Sequence, residues 1–111
     1  MSVSVRDELL GDERWIVAEG TYGDGSEGNP DAALLVDALE AALARGEAVV
    51  VDLRAMHYGF GDAIGGLFWG ALGQPVRLLL QAECEPAYEG LLRYLGGPAE
   101  FGELRERIRY E

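Results

Sequence analysis

The sequence contains no lysine, one histidine and one cysteine among its 111 residues. The single cysteine, Cys84, excludes an internal disulfide and is typical of a protein from a reducing cytoplasm. No apolar run approaches the roughly 18 residues that cross a membrane. The N-terminus also lacks the basic start and apolar core of a signal peptide. We therefore expect a cytoplasmic protein with no membrane span.

Positive charge is scarce as well. Nine arginines stand against 20 aspartates and glutamates, which gives a formal net charge of -11. A surface this acidic repels phosphate backbones and anionic lipid headgroups. We therefore expect no nucleic acid and no membrane as a partner, which leaves a protein or a small molecule.

Few residue types suited to catalysis or metal binding are present. His57 and Cys84 fall on different predicted segments, so a Cys–His pair would require a coincidence of folding. One histidine and one cysteine cannot complete a tetrahedral zinc site without carboxylates. No two carboxylates have a spacing that indicates acid–base catalysis. We predict a protein that is not an enzyme, with no catalytic residues, no metal and no cofactor.

The length predicts one domain spanning residues 1–111. Its centre is a predicted strand, Ala48–Leu53, in which three consecutive valines make both faces apolar. Such a strand is typical of parallel pairing inside a covered sheet. A helix from Asp62 to Leu72 then crosses over to a second strand, Val76–Gln81, in the usual right-handed sense.

The segments before this unit predict a hairpin and a helix. Ser2–Arg6 and Arg14–Ala18 have the pattern of two strands joined by a glycine-containing turn. After a loop over residues 19–28, Asn29 suits the cap of a helix and Asp31 suits its positive dipole end. We expect the glycine that follows this helix to end it.

The segments after the unit predict two more helices, one opening at Glu85 and one at Pro98. Their apolar stripes are Tyr88, Leu91, Leu92 and Leu95 in the first helix, and Phe101, Leu104 and Ile108 in the second. Together these elements predict an α/β fold with a mixed four-stranded sheet, an N-terminal hairpin and crossover helices.

One glycine-rich stretch, residues 23–28, satisfies the dinucleotide-binding pattern G-x-G-x-x-G, and Asp52 closes the next predicted strand. However, Asp24 and Glu27 would place negative charge beside a pyrophosphate, and the helix starts only after the third glycine. We therefore favour an exposed loop. A small-ligand or nucleotide sensor that uses residues 20–28 is kept as the alternative function.

Three segments resemble motifs of the STAS domain, the family named for sulfate transporters and anti-sigma factor antagonists. Residues 20–22 resemble its G-E-L-D, residues 49–53 its V-V-x-D-L, and residues 60–67 its D-S-S-G-L-G-A-L. The order hairpin, helix, strand, helix, strand, helix, helix also resembles this family. The resemblance implies a STAS-like fold and a bacterial regulator that binds a protein, such as an anti-sigma or kinase-like regulator.

The resemblance also identifies a departure. In anti-sigma antagonists a partner kinase phosphorylates the second serine of D-S-S-G, and this switches partner binding off. Here the matching position is Asp62, and Phe60 and Gly61 precede it. The resemblance therefore implies a regulator that is not switched at the usual serine. A carboxylate at the positive end of its helix resembles a permanently modified state, with less charge than phosphoserine.

Helical geometry groups several of these residues on one side of the predicted helix. Two adjacent glycines there cost about 1 kcal/mol each relative to alanine, which close approach of a partner or tight packing within the domain would explain. The predicted partner-binding surface consists of Tyr58, Phe60, Asp62, Gly65, Gly66 and Trp69. A homodimer that serves only as a scaffold is a third alternative.

Overall fold

The computed structural model describes residues 3–111, except for the side chains of residues 97–100. The described residues form five strands: β1 (Val3–Leu10), β2 (Glu13–Thr21), β3 (Ala48–His57), β4 (Val76–Leu80) and β5 (Ile108–Tyr110). Four α-helices are α1 (Asn29–Ala44), α2 (Gly65–Ala71), α3 (Glu85–Leu95) and α4 (Gly97–Arg105). Over the described range, none of these helices combines the length and the apolar character needed to cross a membrane.

The strands form one mixed sheet in the order β1-β2-β3-β4-β5. β1 and β2 are antiparallel, and each later strand is parallel to its predecessor. The predicted α/β class, the hairpin and the crossovers are confirmed, with five strands instead of four. The helices contact one another in chain order, α1 with α2, α2 with α3 and α3 with α4. They therefore cover one face of the sheet, where the core lies.

β3 occupies the middle of the sheet, and all three of its valines are buried. Val49 and Val51 belong to the core beneath the helices. Val50 faces the other side, where Trp15 and Arg77 are its neighbours on the flanking strands. The second face is therefore covered by side chains from neighbouring strands, whereas the helices cover only the first.

The start of α1 differs from the prediction. Gly28 precedes the helix and Asn29 is its first residue, with no side-chain cap. Asp31 is 3% exposed, and its carboxylate accepts hydrogen bonds from the backbone N–H groups of Val3 and Gly23, both at 3.2 Å. Asp31 therefore ties together the first strand, the glycine-rich loop and the helix. Gly46, at φ 77°, follows the end of the helix as predicted.

The end of the chain contains the missed strand. Phe101 and Leu104 are buried on α4, as their spacing predicts. Ile108 does not continue that helix; it begins β5 and pairs with Leu78 of β4. The helical interpretation of Ile108 is wrong because the i, i+3, i+7 spacing of Phe101, Leu104 and Ile108 also fits a helix that ends at Arg105 and is followed by a strand that re-enters the core.

A β-bulge interrupts β3 just before its end. Between the pairs Val17–Asp52 and Glu19–Ala55, β2 advances by two residues while β3 advances by three. The core-facing residues of β3 change accordingly from Leu53 to Met56. Such a bulge re-aims the side chains that follow it. It places Tyr58 in the core and leaves His57 exposed.

Local hydrogen bonds stabilise the bulge. The Asp52 carboxylate accepts the backbone N–H of Arg54 at 3.1 Å and its guanidinium at 2.9 and 2.8 Å. Gln81 Nε2 donates to the Arg54 carbonyl at 3.1 Å. Asp52 therefore lies in mid-strand with its oxygens engaged, and it does not close the strand as the nucleotide fingerprint requires.

Asp52 makes stability depend on pH in the acid range. Hydrogen bonds from Arg54 hold the pKa of Asp52 below its ordinary value of 3.8. A depressed folded-state pKa stabilises the protein fully above the unfolded pKa, and the contribution is lost as pH falls through the folded value. We expect wild type to lose more unfolding free energy than Asp52→Asn between about pH 6 and about pH 2. Urea denaturation at both pH values measures this, and equal losses would contradict it.

Candidate functional site

The segment between β3 and α2 is a fixed loop, residues 58–62. The Tyr58 ring is 2% exposed, stacks on Tyr88 at 4.7 Å and meets the edge of Tyr22 at 5.4 Å between ring centroids. Its hydroxyl donates a hydrogen bond to the Gly61 carbonyl at 2.7 Å. Burial raises the pKa of Tyr58 to about 12, so the hydroxyl remains a donor at neutral pH. Tyr58 thus supports the loop from below.

The glycine-rich segment packs against this loop, so the two candidate sites are brought together. A Cβ at Gly25 would lie 3.6 Å from the Phe60 ring. Gly61 has φ 130°, which favours glycine, and a Cβ there would lie 3.3 Å from Gly25 O and from the Tyr22 ring. The position that the resemblance assigns to a serine therefore requires glycine here.

An apolar groove runs between loop 58–62 and α3, with a cavity volume of about 510 Å³. We call it the loop–α3 groove. Its main lining residues are Tyr58, Phe60 and Asp62 from the loop, and Ala87, Gly90 and Tyr94 from α3. Phe60 is 60% exposed and Tyr94 is 74% exposed, so two aromatic side chains line the groove and reach solvent.

A second depression of about 440 Å³ lies on the other side of Phe60, at the carboxyl ends of β2 and β3. Thr21, Asp24, Glu27 and His57 are among its lining residues. Close packing explains why residues 23 and 28 of this loop are glycines. A Cβ at Gly28 would lie 2.3 Å from the Tyr22 ring, and one at Gly23 would lie 2.6 Å from Glu27 backbone atoms. This loop is a 3-10 turn over residues 25–28 lined by carboxylates, which is a poor cradle for phosphate.

The predicted surface on α2 is only partly present. Gly65 is buried, because a Cβ there would lie 2.9 Å from the Leu95 side chain. The packing explanation therefore holds for Gly65, and its assignment to an outward surface is wrong. Gly66 is exposed, and Trp69 is 43% exposed with its ring 4.8 Å from that of Phe101.

Asp62 also sits differently from the prediction. α2 begins at Gly65, so Asp62 is three residues ahead of the helix instead of on its first turn. Its backbone carbonyl, at 2.9 Å, accepts the N–H of Gly65. No side chain caps α2. The carboxylate of Asp62 is exposed at the groove, where a partner can reach it.

The structure brings His57 and Cys84 together, contrary to expectation. Cys84 Sγ lies 3.7 Å from His57 Nδ1, because β3 and β4 are parallel neighbours and end at the same edge of the sheet. The thiol donates to Gln81 Oε1 at 3.2 Å, and Sγ accepts the N–H of Tyr58 at 3.4 Å. The sulfur is buried and its bonds are internal, so these contacts hold the base of the loop in place.

Positive charge is concentrated on the sheet. Within the described residues, the arginines that pair with carboxylates on strands are Arg6, Arg14, Arg54 and Arg77. Arg45, which follows the last residue of α1, pairs with Glu47, and Arg105, the last residue of α4, pairs with Glu89 of α3. At the loop, Asp62 is exposed and Asp24 Oδ1 lies 3.2 Å from the Cβ position of Gly59. Arg93 Nη2 lies 4.0 Å from the Cβ position of Gly90 on α3.

The α3 side of the groove was absent from the predicted site. Ala87, Gly90 and Tyr94 come from a helix whose stripe pattern predicts only its buried face. Gly90 carries the one available signal, because an interior helical glycine costs about 1 kcal/mol relative to alanine. Within the part of the chain that the structure describes, a Cβ at Gly90 would meet only Arg93 Nη2, so packing against those residues does not require the glycine.

Comparison of the sequence with models of known protein families finds no match, and comparison with curated proteins finds none either.

Two solved structures share the architecture. One is an anti-sigma factor antagonist from Mycobacterium paratuberculosis, with TM-score 0.60 and 17% identity over 86% of this chain and 79% of that one. The other is SpoIIAA, a Bacillus cell fate determinant, in its phosphorylated form, with TM-score 0.59 and 10% identity over 97% of this chain and 91% of that one. At these identities the likeness concerns the fold, and it confirms the predicted STAS-like fold.

Proposed function

We propose that this STAS-like chain is a non-catalytic regulatory module that acts by binding another protein. Its proposed binding surface comprises loop 58–62 and the exposed strip of α2 that contains Gly66 and Trp69. The proposed setting is the bacterial cytoplasm, and the proposed partner is an anti-sigma or kinase-like regulator. The likeness to an anti-sigma factor antagonist supports the choice of partner class.

One observation carries the proposal: an internally fixed loop presents a large aromatic side chain to solvent. Tyr58 holds the loop by its stacked ring and its bond to Gly61, while Phe60 stays 60% exposed. A fixed loop loses little conformational entropy on binding. Exposed aromatic residues are the side chains that most often anchor protein interfaces.

Asp62 makes the proposed binding independent of phosphorylation at this position. A carboxylate cannot accept a phosphoryl group by the serine route, and it carries a permanent negative charge at the surface. Its charge and acceptor number remain below those of a phosphoserine. The module would therefore be regulated by partner abundance or by the partner's own state.

Capture from native lysate tests the binding surface. Phe60→Asp and Trp69→Asp are each expected to reduce partner capture at least about tenfold, because loss of a buried aromatic anchor commonly costs more than 1.4 kcal/mol. Capture is quantified by mass spectrometry of the bound fraction. Circular dichroism and urea denaturation confirm that each variant folds.

Leu10→Asp is the matched control, since Leu10 is 49% exposed at the hairpin turn, at the opposite end of the sheet from the loop. Its capture should equal that of wild type. Loss with Phe60→Asp alone would restrict the surface to the loop. Equal capture by wild type and all three variants contradicts the proposal.

The alternative, a small-ligand sensor that uses residues 20–28, is favoured by the depression of about 440 Å³ at the carboxyl ends of two parallel strands. Asp24 and Glu27 line it, so the fitting ligand would be cationic or neutral. Thermal-shift measurements separate the two functions, with calcium as the cationic probe and with nucleotides and dinucleotides as the anionic probes that the two carboxylates disfavour. A specific ligand raises the melting temperature by mass action, whereas a protein-binding module shows no shift.

A further inference from the structure

We infer that the loop–α3 groove binds one class of partner segment, in which apolar side chains are accompanied by basic residues. This inference rests on the proposed protein-binding function and names the chemistry of the partner. The proposed occupant is a segment of another protein that inserts apolar side chains between Phe60 and Tyr94 and directs its cations towards Asp62.

The groove contains an unfilled space at Gly90 of α3. Gly90 lies in the interior of α3, yet among the described residues Arg93 Nη2, at 4.0 Å, is the one contact found for a Cβ at that position outside the backbone of the helix itself. Elsewhere the helical glycine Gly65 is explained by a packed neighbour, Leu95. A glycine that weakens its helix and leaves a gap beside two exposed aromatic rings is suited to admitting an external side chain.

The rim favours an extended protein segment. Phe60 and Tyr94 come from different elements, a loop and a helix, and both project into solvent. Grooves of this kind accept amphipathic segments, whose apolar side chains enter while the polar ones stay at the rim. Aromatic rims also supply the contact area that concentrates binding energy in a few residues.

The negative charge around the groove favours a partner segment that contains basic residues. The chain carries a formal net charge of -11, and its ion-paired arginines lie mainly on the sheet. Among the described residues, Asp62 lines the groove and Asp24 Oδ1 lies 3.2 Å from the Cβ position of Gly59, another lining residue, whereas the cation found beside Gly90 is Arg93. An acidic segment would be repelled, and so would a second copy of this chain, whereas a basic segment is attracted and its association accelerated.

A random-peptide library displayed on phage tests this inference with the full chain as bait. The groove-filling variant is Gly90→Leu, which replaces a poor helix former with a good one and so preserves the fold. Gly102→Leu on α4 is the matched control, since Gly102 is also helical and a Cβ there meets none of the described residues within 4 Å. Affinities of the selected peptides are measured by fluorescence anisotropy.

The selected peptides are expected to combine apolar residues with a net positive charge. They should bind Gly102→Leu like wild type and Gly90→Leu about thirtyfold more weakly, as expected for loss of a buried anchor. Acidic peptides, no selected peptides, or equal binding to Gly90→Leu would overturn the inference. A wild-type dimer that Gly90→Leu dissociates, seen by light scattering, would assign the groove to a second copy and overturn it as well.

The same variants separate this inference from the proposed function. A lysate partner that binds Gly90→Leu normally but is lost with Phe60→Asp would overturn the groove assignment and leave protein binding intact. Absence of any partner specific to wild type would overturn the proposed function itself.

Discussion

Replacing Tyr58 with alanine is expected to lower the free energy of unfolding by about 3–5 kcal/mol. The ring is almost fully buried and touches the aromatic rings of Tyr22 and Tyr88, so its removal leaves a cavity that two other rings line. Cavities of this kind collapse only partly, and the lost contacts add to the lost hydrophobic burial. Urea denaturation followed by circular dichroism gives the value.

Tyr58→Phe distinguishes the contribution of the ring to stability from the contribution of its hydroxyl. It keeps the stacking but removes the hydrogen bond to Gly61, for which we expect a loss of about 1 kcal/mol. The phenylalanine variant should also release loop 58–62, visible as faster amide hydrogen exchange at Gly61. A Tyr58→Ala stability within about 1 kcal/mol of wild type would show that the ring does not support the loop.

Asp31→Ala is the second change expected to have a large effect, a loss of about 3 kcal/mol. Its carboxylate serves two backbone donors from separate parts of the chain, Val3 and Gly23, and alanine leaves both without their acceptor in the protein interior. Hydrogen bonds to a charged group each contribute about 1.5–3 kcal/mol, although the two effects are not additive. Chemical denaturation measures the sum.

Asp37→Ala on the same helix is the control, because Asp37 is exposed. It removes the same charge from α1 and should change stability by less than about 0.5 kcal/mol. If both variants lost the same stability, the effect would come from the charge of the helix and not from the two hydrogen bonds of Asp31.

The elements that the sequence predicts well are those with local causes. Three adjacent valines mark β3, a proline opens α1 after Gly28, and Gly46 follows the end of that helix. Each signal depends on residues within a few positions of one another, so the local structure around it can be predicted without knowing any tertiary contact. The STAS-like architecture followed from the order of these elements.

The fifth strand could not be predicted for the opposite reason. It has three residues, Ile108–Tyr110, and its only partner is β4, some 30 residues earlier. Alternating arginines beside an isolated isoleucine fit a helix end and a strand equally well. Register with Leu78 decides between them, and register is a property of the assembled sheet.

The residues of the binding surface also divide into those that the sequence identifies and those that only the folded chain brings together. Phe60 and Asp62 were identified because they depart from a known motif, whereas Gly90 and Tyr94 face them only after α3 packs beside the loop. Gly65 was misplaced because helical spacing gives its direction but not its neighbour, Leu95. The approach of His57 to Cys84 likewise depends on the pairing of two parallel strands, because the two residues each lie four positions beyond the paired Leu53 and Leu80.

The extra residue in β3 has a consequence for how this protein tolerates changes of length. Deleting Ala55 would restore strict two-residue alternation, with Leu53, Met56 and Tyr58 still on the core side and His57 on the other. Deleting a residue after the bulge, such as Met56, would instead exchange the sides of the residues that follow, so that the imidazole of His57 would turn inward and the phenol of Tyr58 would turn to water. The strand can therefore lose one residue at the exposed Ala55, whereas the same loss at Met56 would dismantle the loop.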